Sequence, residues 1–142
     1  MTSQMSALLS KLKPGTHVTP AAVTAAIDGI PFSLPRDYVE TLSSASGWSG
    51  FLSDSSPFVD LWPIDEVMVR NASYNVSPVE DGMLLIGSDG GGTAYAIVQV
   101  GGQLSFADVP FVPLKVGEAT LRGDSLEEFL ENIAKGGHLV GL

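Results

Sequence analysis

The chain has 142 residues, of which 44% are hydrophobic, and this is enough for one domain with a buried core. Seven lysine and arginine residues against sixteen aspartate and glutamate residues give a net charge of −9, which opposes direct binding to nucleic acid and favours a basic protein as partner. Cysteine is absent, which excludes disulfides, thiolate nucleophiles and zinc–thiolate sites.

The beginning of the chain predicts a short amphipathic helix. Apolar residues recur at helical spacing from Met5 to Leu12, and Pro14-Gly15 ends the pattern. This stretch lacks the basic end and apolar run of a secretory signal, and no later stretch is apolar for long enough to span a bilayer. We therefore expect a cytoplasmic protein without membrane attachment.

Two further helices are predicted before the first strand. Thr19 is a helix-capping residue followed by a proline at the first helical position, and this helix ends at Gly29. The next helix follows Pro35 and ends at Gly47, a residue type that adopts the left-handed conformation at helix ends.

The middle of the chain predicts strands, with a short helix starting at Pro63 between the second and third. The strands are predicted over 48–52, 58–62, 83–88, 93–99 and 103–109. The third is apolar on both alternating faces and is therefore expected to be central. Ala94, Ala96 and Val98 give the fourth a small face that we expect to lie under a helix. Pro110 and Pro113 predict an edge segment or an extended connection over 109–114.

The last predicted element is a helix, and its start is well marked. Ser125 and Glu128 form the pattern of a capping box. Leu126, Phe129 and Leu130 follow at core-facing spacing. The order of helices, strands and a final helix predicts a single α+β domain over residues 1–142.

Three glycines in "LLIGSDGGGTAYAI" raise the possibility of a phosphate-binding loop. The lysine and helix of a nucleotide-binding loop are missing after Gly92, and so is the spacing of a dinucleotide fingerprint. We interpret Ser88–Gly92 as a hairpin connection, with Asp89-Gly90 as its turn signal. The alternative is a nest of backbone amides that binds an anion.

Other candidate chemistry is sparse. Ser10 and Lys13 match a serine–lysine motif without its companion motifs. His17 and His138 lack neighbours at metal-ligand spacing, and the adjacent carboxylates of Asp65 and Glu66 diverge on a helix. We expect no catalytic residue, no metal site and no cofactor.

Four short stretches in order carry a family resemblance: "LPRDYVETL" with "GW" just after it, "DLWPIDEV", "LLIGSDGGGTAYAI" and "DSLEEFL". Together they resemble the SUKH superfamily of Smi/Knr-like domains. The resemblance implies an α+β fold with a mostly antiparallel sheet, N-terminal helices and a C-terminal helix packed on it. It also implies a non-catalytic protein-binding role, commonly toxin immunity, with a cognate polymorphic toxin such as a nuclease as partner.

The resemblance also suggests which residues contact a partner. Candidates that could be exposed beside a cleft are Trp48, Trp62, Asp65, Glu66 and Asp89. Each tryptophan is either an interface anchor or a core residue, and the core interpretation is favoured for both. The functional alternatives are a regulatory module with an endogenous partner and, after it, a small-ligand binder or enzyme using the glycine loop.

Overall fold

Alternating strands and amphipathic helices build one sheet with helices packed on it. The structure is a computed structural model that describes residues 2–135. The α-helices in this range are α1 (Ser3–Leu9), α2 (Pro20–Asp28), α3 (Arg36–Leu42), α4 (Ile64–Ser73), α5 (Pro78–Asp81) and α6 (Leu126–Ala134). The strands are β1 (Lys13–Thr16), β2 (Ser46–Phe51), β3 (Phe58–Leu61), β4 (Met83–Ser88), β5 (Thr93–Val100), β6 (Gln103–Pro110) and β7 (Thr120–Gly123).

The sheet is an antiparallel meander, because the seven strands lie side by side in the order in which the chain makes them. The loop Ser88–Gly92 connects β4 to β5, which confirms the predicted hairpin. Gly101 and Gly102 make the turn from β5 to β6 with φ of 58° and 82°, angles that glycine adopts without strain. The α+β fold class is thus confirmed.

The strand register defines two faces of the sheet. One face, which we call the α6 face, carries Tyr95, whose ring lies 5.2 Å from that of Phe129 in α6. The opposite face, which we call the Asp60 face, carries Asp60, Ser88 and Ala94 in register on β3, β4 and β5. Helix α6 therefore covers the large residues of β5. The small residues of β5 are buried on the Asp60 face.

Both faces of β4 are buried, as its continuous apolar pattern predicts. Its residues from Met83 to Ile86 are at most 1% exposed. A β-bulge interrupts the pairing with β5 between Leu85 and Gly87. The position of β4 in the middle of the sheet is the reason that neither face could be polar.

Helix α1 ends at Leu9, before Pro14-Gly15, and these two residues lie in the edge strand β1, which was not predicted. Proline is tolerated on an edge strand, where one side of the ladder needs no donor. Gly15 is required by a close approach: a Cβ there would collide with the backbone oxygen of Ser46.

The predicted helix end at Gly47 is wrong. Helix α3 ends at Leu42, and Gly47 lies inside β2 with φ of 87°. A Cβ at Gly47 would lie 3.2 Å from the ring of Pro63, so the glycine allows the start of α4 to approach β2.

Of the two predicted alternatives for the segment after Pro110, the structure has the connection and not the sheet edge. Strand β6 pairs on both sides, and β7, which was not predicted, forms the edge. Pro110 is the last residue of β6. Proline has no backbone N–H to donate, and at the end of a strand this does not interrupt the ladder. The segment 111–119 then leads through a 3₁₀ helix, Val116–Glu118, to β7.

The start of α6 is capped more fully than the sequence predicts. Ser125 Oγ accepts from the Glu128 backbone N–H at 3.1 Å, as expected, but the Glu128 carboxylate accepts from Asp124 rather than from Ser125. In addition, the Asp37 carboxylate accepts from the backbone N–H groups of Leu126 and Glu127 at 3.1 and 2.9 Å. Asp37 of α3 thereby holds the first turn of α6 in place.

Candidate functional site

Helix α4 is locked to the edge of β4, and this sets the position of its exposed stripe. Strand β3 pairs only with the end of β4, so the backbone of Leu85 lacks a strand partner on that side. The side-chain amide of Asn71 takes that place, accepting from Leu85 N and donating to Leu85 O at 2.9 Å each. At the other end of α4, Ser46 Oγ accepts from Ile64 N at 2.8 Å.

Glu66, Arg70 and Tyr74 follow each other at four-residue spacing and form one stripe of α4. Arg70 donates from Nε and Nη2 to Glu66 Oε1 at 3.1 and 2.9 Å. The pair is about half exposed, so its main effect is to orient the arginine rather than to stabilise the fold.

A continuous stack of side chains extends from this stripe. The guanidinium carbon of Arg70 lies 4.9 Å from the ring centroid of Trp62. The ring of Tyr74 stacks on the same tryptophan at 6.4 Å and contacts Phe111 at 4.8 Å. We call Trp62, Arg70, Tyr74 and Phe111 the aromatic–arginine cluster.

The members of the cluster differ in exposure. Trp62 is only 3% exposed, because Arg70 and Tyr74 cover its ring. Tyr74 is 42% exposed, and the side chain of Arg70 is exposed to a similar degree. Trp62 is therefore the buried base of the cluster, and the side chains of Arg70 and Tyr74 above it are exposed to solvent.

The Asp60 face is open beside this cluster. Lys13, Ser49 and Asp60 are paired in register on β1, β2 and β3, and they line a depression of about 260 Å³ together with Pro63. Burial raises the pKa of the Asp60 carboxyl; the charge of Arg70 opposes this rise, and that of Glu66 adds to it. A carboxyl with a raised pKa that lines a depression is a candidate for a functional site.

The anion-binding alternative for the glycine loop meets an occupied nest. The carboxylate oxygen Oδ1 of Asp89 accepts from the backbone N–H groups of Gly91 and Thr93 at 2.8 and 3.2 Å. Ser88 Oγ accepts from Gly90 N at 3.2 Å. These amides already donate to the protein's own oxygens, so Asp89 occupies the position that an external anion would take.

The structure brings together only some of the sequence-predicted site residues. Trp62 and Glu66 meet through Arg70, and Asp65 is exposed in the first turn of α4. Trp48 lies opposite Leu61 on the α6 face and lines a depression of about 370 Å³ beside α1. Asp89 makes its hydrogen bonds within the loop Ser88–Gly92 and with the first residue of β5.

His17 is not among the residues that line the depression beside Asp60. His17 is exposed in a connection, and His138 lies outside the described residues. Within residues 2–135, no group of three or more histidine or acidic side chains is arranged to hold a metal ion. In the same range, no helix combines the length and the apolar character that a bilayer span requires.

Sequence reasoning missed Asp60, Arg70, Tyr74 and Phe111. A charge in the middle of the strand "FVDLW" was the signal for Asp60, and the four-residue spacing from Glu66 was the signal for Arg70 and Tyr74. Phe111 carried no local signal, because it follows β6 and meets Tyr74 only in the folded chain.

Comparison with known proteins agrees with this architecture. A search of curated proteins finds no match. The sequence profile of the SMI1 / KNR4 family (SUKH-1) matches residues 17–132, which include Asp60 and the aromatic–arginine cluster. Domains of this family are known for roles related to toxin immunity and are generally non-catalytic. Because the match covers most of the chain, the protein belongs to the SMI1 / KNR4 family (SUKH-1).

Proposed function

We propose that the chain is a cytoplasmic immunity protein, a single SUKH domain over residues 1–142 that binds a cognate toxin and neutralises it without catalysis. The observation that carries this proposal is the aromatic–arginine cluster. Tyrosine, tryptophan and arginine are the residue types in which binding energy concentrates at protein interfaces. Here an exposed tyrosine and arginine stand on a buried tryptophan, so little side-chain freedom remains to be lost on binding.

Charge supports a basic partner. The protein carries a net charge of −9, and Asp60, Asp65 and Glu66 lie on or next to the cluster. Such a field accelerates the approach of a basic toxin, and the cluster then supplies the short-range contacts. Inhibition follows when the bound protein covers the active site of the toxin.

The test begins with isolation of the partner and ends with neutralisation. Tagged protein is used to recover bound polypeptides from lysate of the source cells at low and high salt, and the recovered protein is identified. Its gene is then expressed alone and together with the immunity chain, and cell survival is counted. We expect survival only on co-expression and release of the complex by added salt.

Two variants of similar exposure locate the surface. Tyr74→Ala removes the exposed end of the cluster, whereas Leu121→Ala changes an equally exposed residue on β7, at the far edge of the sheet. We expect Tyr74→Ala to weaken toxin binding about tenfold or more and Leu121→Ala to leave it unchanged. Recovery of an endogenous housekeeping protein that is not toxic would overturn the immunity proposal in favour of a regulatory module.

A further inference from the structure

The Asp60 carboxylate lies on the Asp60 face and is not part of the aromatic–arginine cluster. Among residues 2–135, no hydrogen bond or ion pair reaches its oxygens. Arg70 contributes charge to this neighbourhood, but its guanidinium is held by Glu66 and lies over the ring of Trp62. Arg70 is therefore committed elsewhere. Lys13 lines the same depression as Asp60 but makes no ion pair with it among the described residues, so this carboxylate retains its capacity to accept hydrogen bonds.

Aromatic rings lie next to this carboxylate on the same face. Phe58 is two residues before Asp60 on β3 and so points in the same direction. Phe51 is paired with Phe58 across β2 and β3, and their rings meet at 5.3 Å. Phe51 is 59% exposed, the largest exposure of any aromatic side chain in the described part of the chain.

The loop Ser88–Gly92 packs against the aromatic pair. A Cβ at Gly90 would lie 3.3 Å from the ring of Phe58, so the loop rests against that ring. Ser88, in register with Asp60 on β4, and Ser49, in register on β2, place two hydroxyl-bearing residues beside the carboxylate. The surface thus combines one unpaired carboxylate, two flanking serines and an exposed aromatic pair.

We propose that this surface receives an arginine side chain of the partner protein, with the guanidinium on Asp60 and the planar head and aliphatic stem against Phe58 and Phe51. Arginine fits because it forms two parallel hydrogen bonds to a carboxylate and also stacks on aromatic rings. The net charge of −9 favours a basic partner that offers such a side chain. The inference rests on the proposed function for the identity of the partner, but the binding site itself is testable without any toxin.

The experiment uses the full chain labelled with nitrogen-15 and three blocked tripeptides in which arginine, citrulline or lysine stands between glycines. Amide chemical shifts are followed during titration with each peptide. We expect saturable shifts of the Ser49, Asp60 and Ser88 amides with the arginine peptide in the millimolar range. Citrulline has nearly the shape of arginine without its charge, and we expect at least about tenfold weaker binding from it.

Matched variants assign the site. Asp60→Asn keeps the shape of the side chain and is expected to weaken the arginine peptide about tenfold, whereas Asp65→Asn makes the same charge change nearby and is expected to have less than a twofold effect. Phe51→Ala is expected to weaken the peptide about threefold. An unchanged amide spectrum outside the face shows that each variant is folded.

Several results would overturn the inference: no shift with the arginine peptide, equal binding of citrulline, equal binding of lysine, or full binding by Asp60→Asn. Failure of toxin neutralisation together with intact arginine binding would reject the immunity proposal alone. Neutralisation by a chain that does not bind arginine would reject this inference alone.

Discussion

The side-chain amide of Asn71 acts as a strand partner for the backbone of Leu85, donating to its oxygen and accepting from its nitrogen at 2.9 Å each. Both residues are fully buried, and Asn71 also donates to Val67 O within its own helix at 2.7 Å. One side chain therefore ends the sheet ladder at β4 and fixes the orientation of α4, which carries Arg70 and Tyr74.

Replacing this asparagine should be costly. Asn71→Ala leaves the buried N–H and C=O groups of Leu85 without partners, and we expect the free energy of unfolding to fall by about 3 kcal/mol. The measurement is urea denaturation followed by circular dichroism. Val69→Ala, on the exposed side of the same helix, is the control and should change stability by no more than about 0.5 kcal/mol. Equal stability of the two variants would show that the amide contacts are not needed.

A buried ion pair joins β6 and β7. Arg122, which is 4% exposed, donates to Asp108 Oδ2 at 2.9 Å from Nε and 2.8 Å from Nη2. Removing the arginine takes away the charged partner of a mostly buried carboxylate, so we expect Arg122→Ala to lower the free energy of unfolding by about 3–5 kcal/mol. The exposed pair of Arg36 with Glu40 provides the contrast, and Arg36→Ala should have no measurable effect.

A double variant separates the charge effect from the loss of packing. When Arg122→Met is combined with Asp108→Leu, no buried charge is left unpaired, and we expect most of the lost stability to return. Denaturation of the double and single variants under one set of conditions makes the comparison. Failure of the double variant to recover stability would mean that the shape of the arginine, rather than its charge pairing, is required.

The glycines of "LLIGSDGGGTAYAI" should differ sharply in their tolerance of alanine. A Cβ at Gly87 would collide with the backbone oxygen of Asp60 and lie 3.1 Å from its carbonyl carbon, whereas Gly92 has nothing within 4 Å. We expect Gly87→Ala to cost roughly 2–4 kcal/mol and Gly92→Ala to stay within about 0.5 kcal/mol, as read from thermal unfolding. A large loss with Gly92→Ala would point to a binding or folding role for that loop position.

The raised pKa of Asp60 has a defined effect on stability. Because burial raises the pKa of this carboxyl in the folded chain, the unfolded chain ionises first as pH increases. Below the ordinary aspartate pKa, Asp60 is protonated in both states and does not lower the free energy of unfolding. As the pH rises, this free energy falls until the pH has passed the pKa of Asp60 in the folded chain. Asp60→Asn removes this loss, so its unfolding midpoint should exceed that of the wild type at neutral pH and match it at a pH below the ordinary value.

The control for this prediction is Asp65→Asn, which makes the same charge change at an exposed position. Unfolding midpoints of the three proteins across the acidic range provide the comparison. If Asp60→Asn gained no more than Asp65→Asn, the effect would be one of net charge and not of burial. A gain confined to Asp60→Asn would show that burial of this carboxylate lowers the stability of the fold.

The elements that the sequence predicted correctly share one physical property: their patterns are local. The second helix lies between its cap at Thr19 and Gly29, β4 is apolar on both faces, and Ser125 caps α6. Helix α5, which was missed, is a single short turn. The strands that were missed are short and depend on distant partners. Strands β1 and β7 have four residues each, and only pairing with β2 and β6 makes them strands.

The candidate site divides along the same line. The sequence alone determined the α+β class and the hairpin at Ser88–Gly92, because both follow from local periodicity and turn chemistry. Trp62 and Glu66 became candidates through the family resemblance. Only the tertiary structure decided that Trp62 is a platform beneath Arg70 and Tyr74, that Phe111 joins them, and that Asp60 lies unpaired on an open face. These contacts join residues distant in sequence, and strand register and the anchoring of α4 set them.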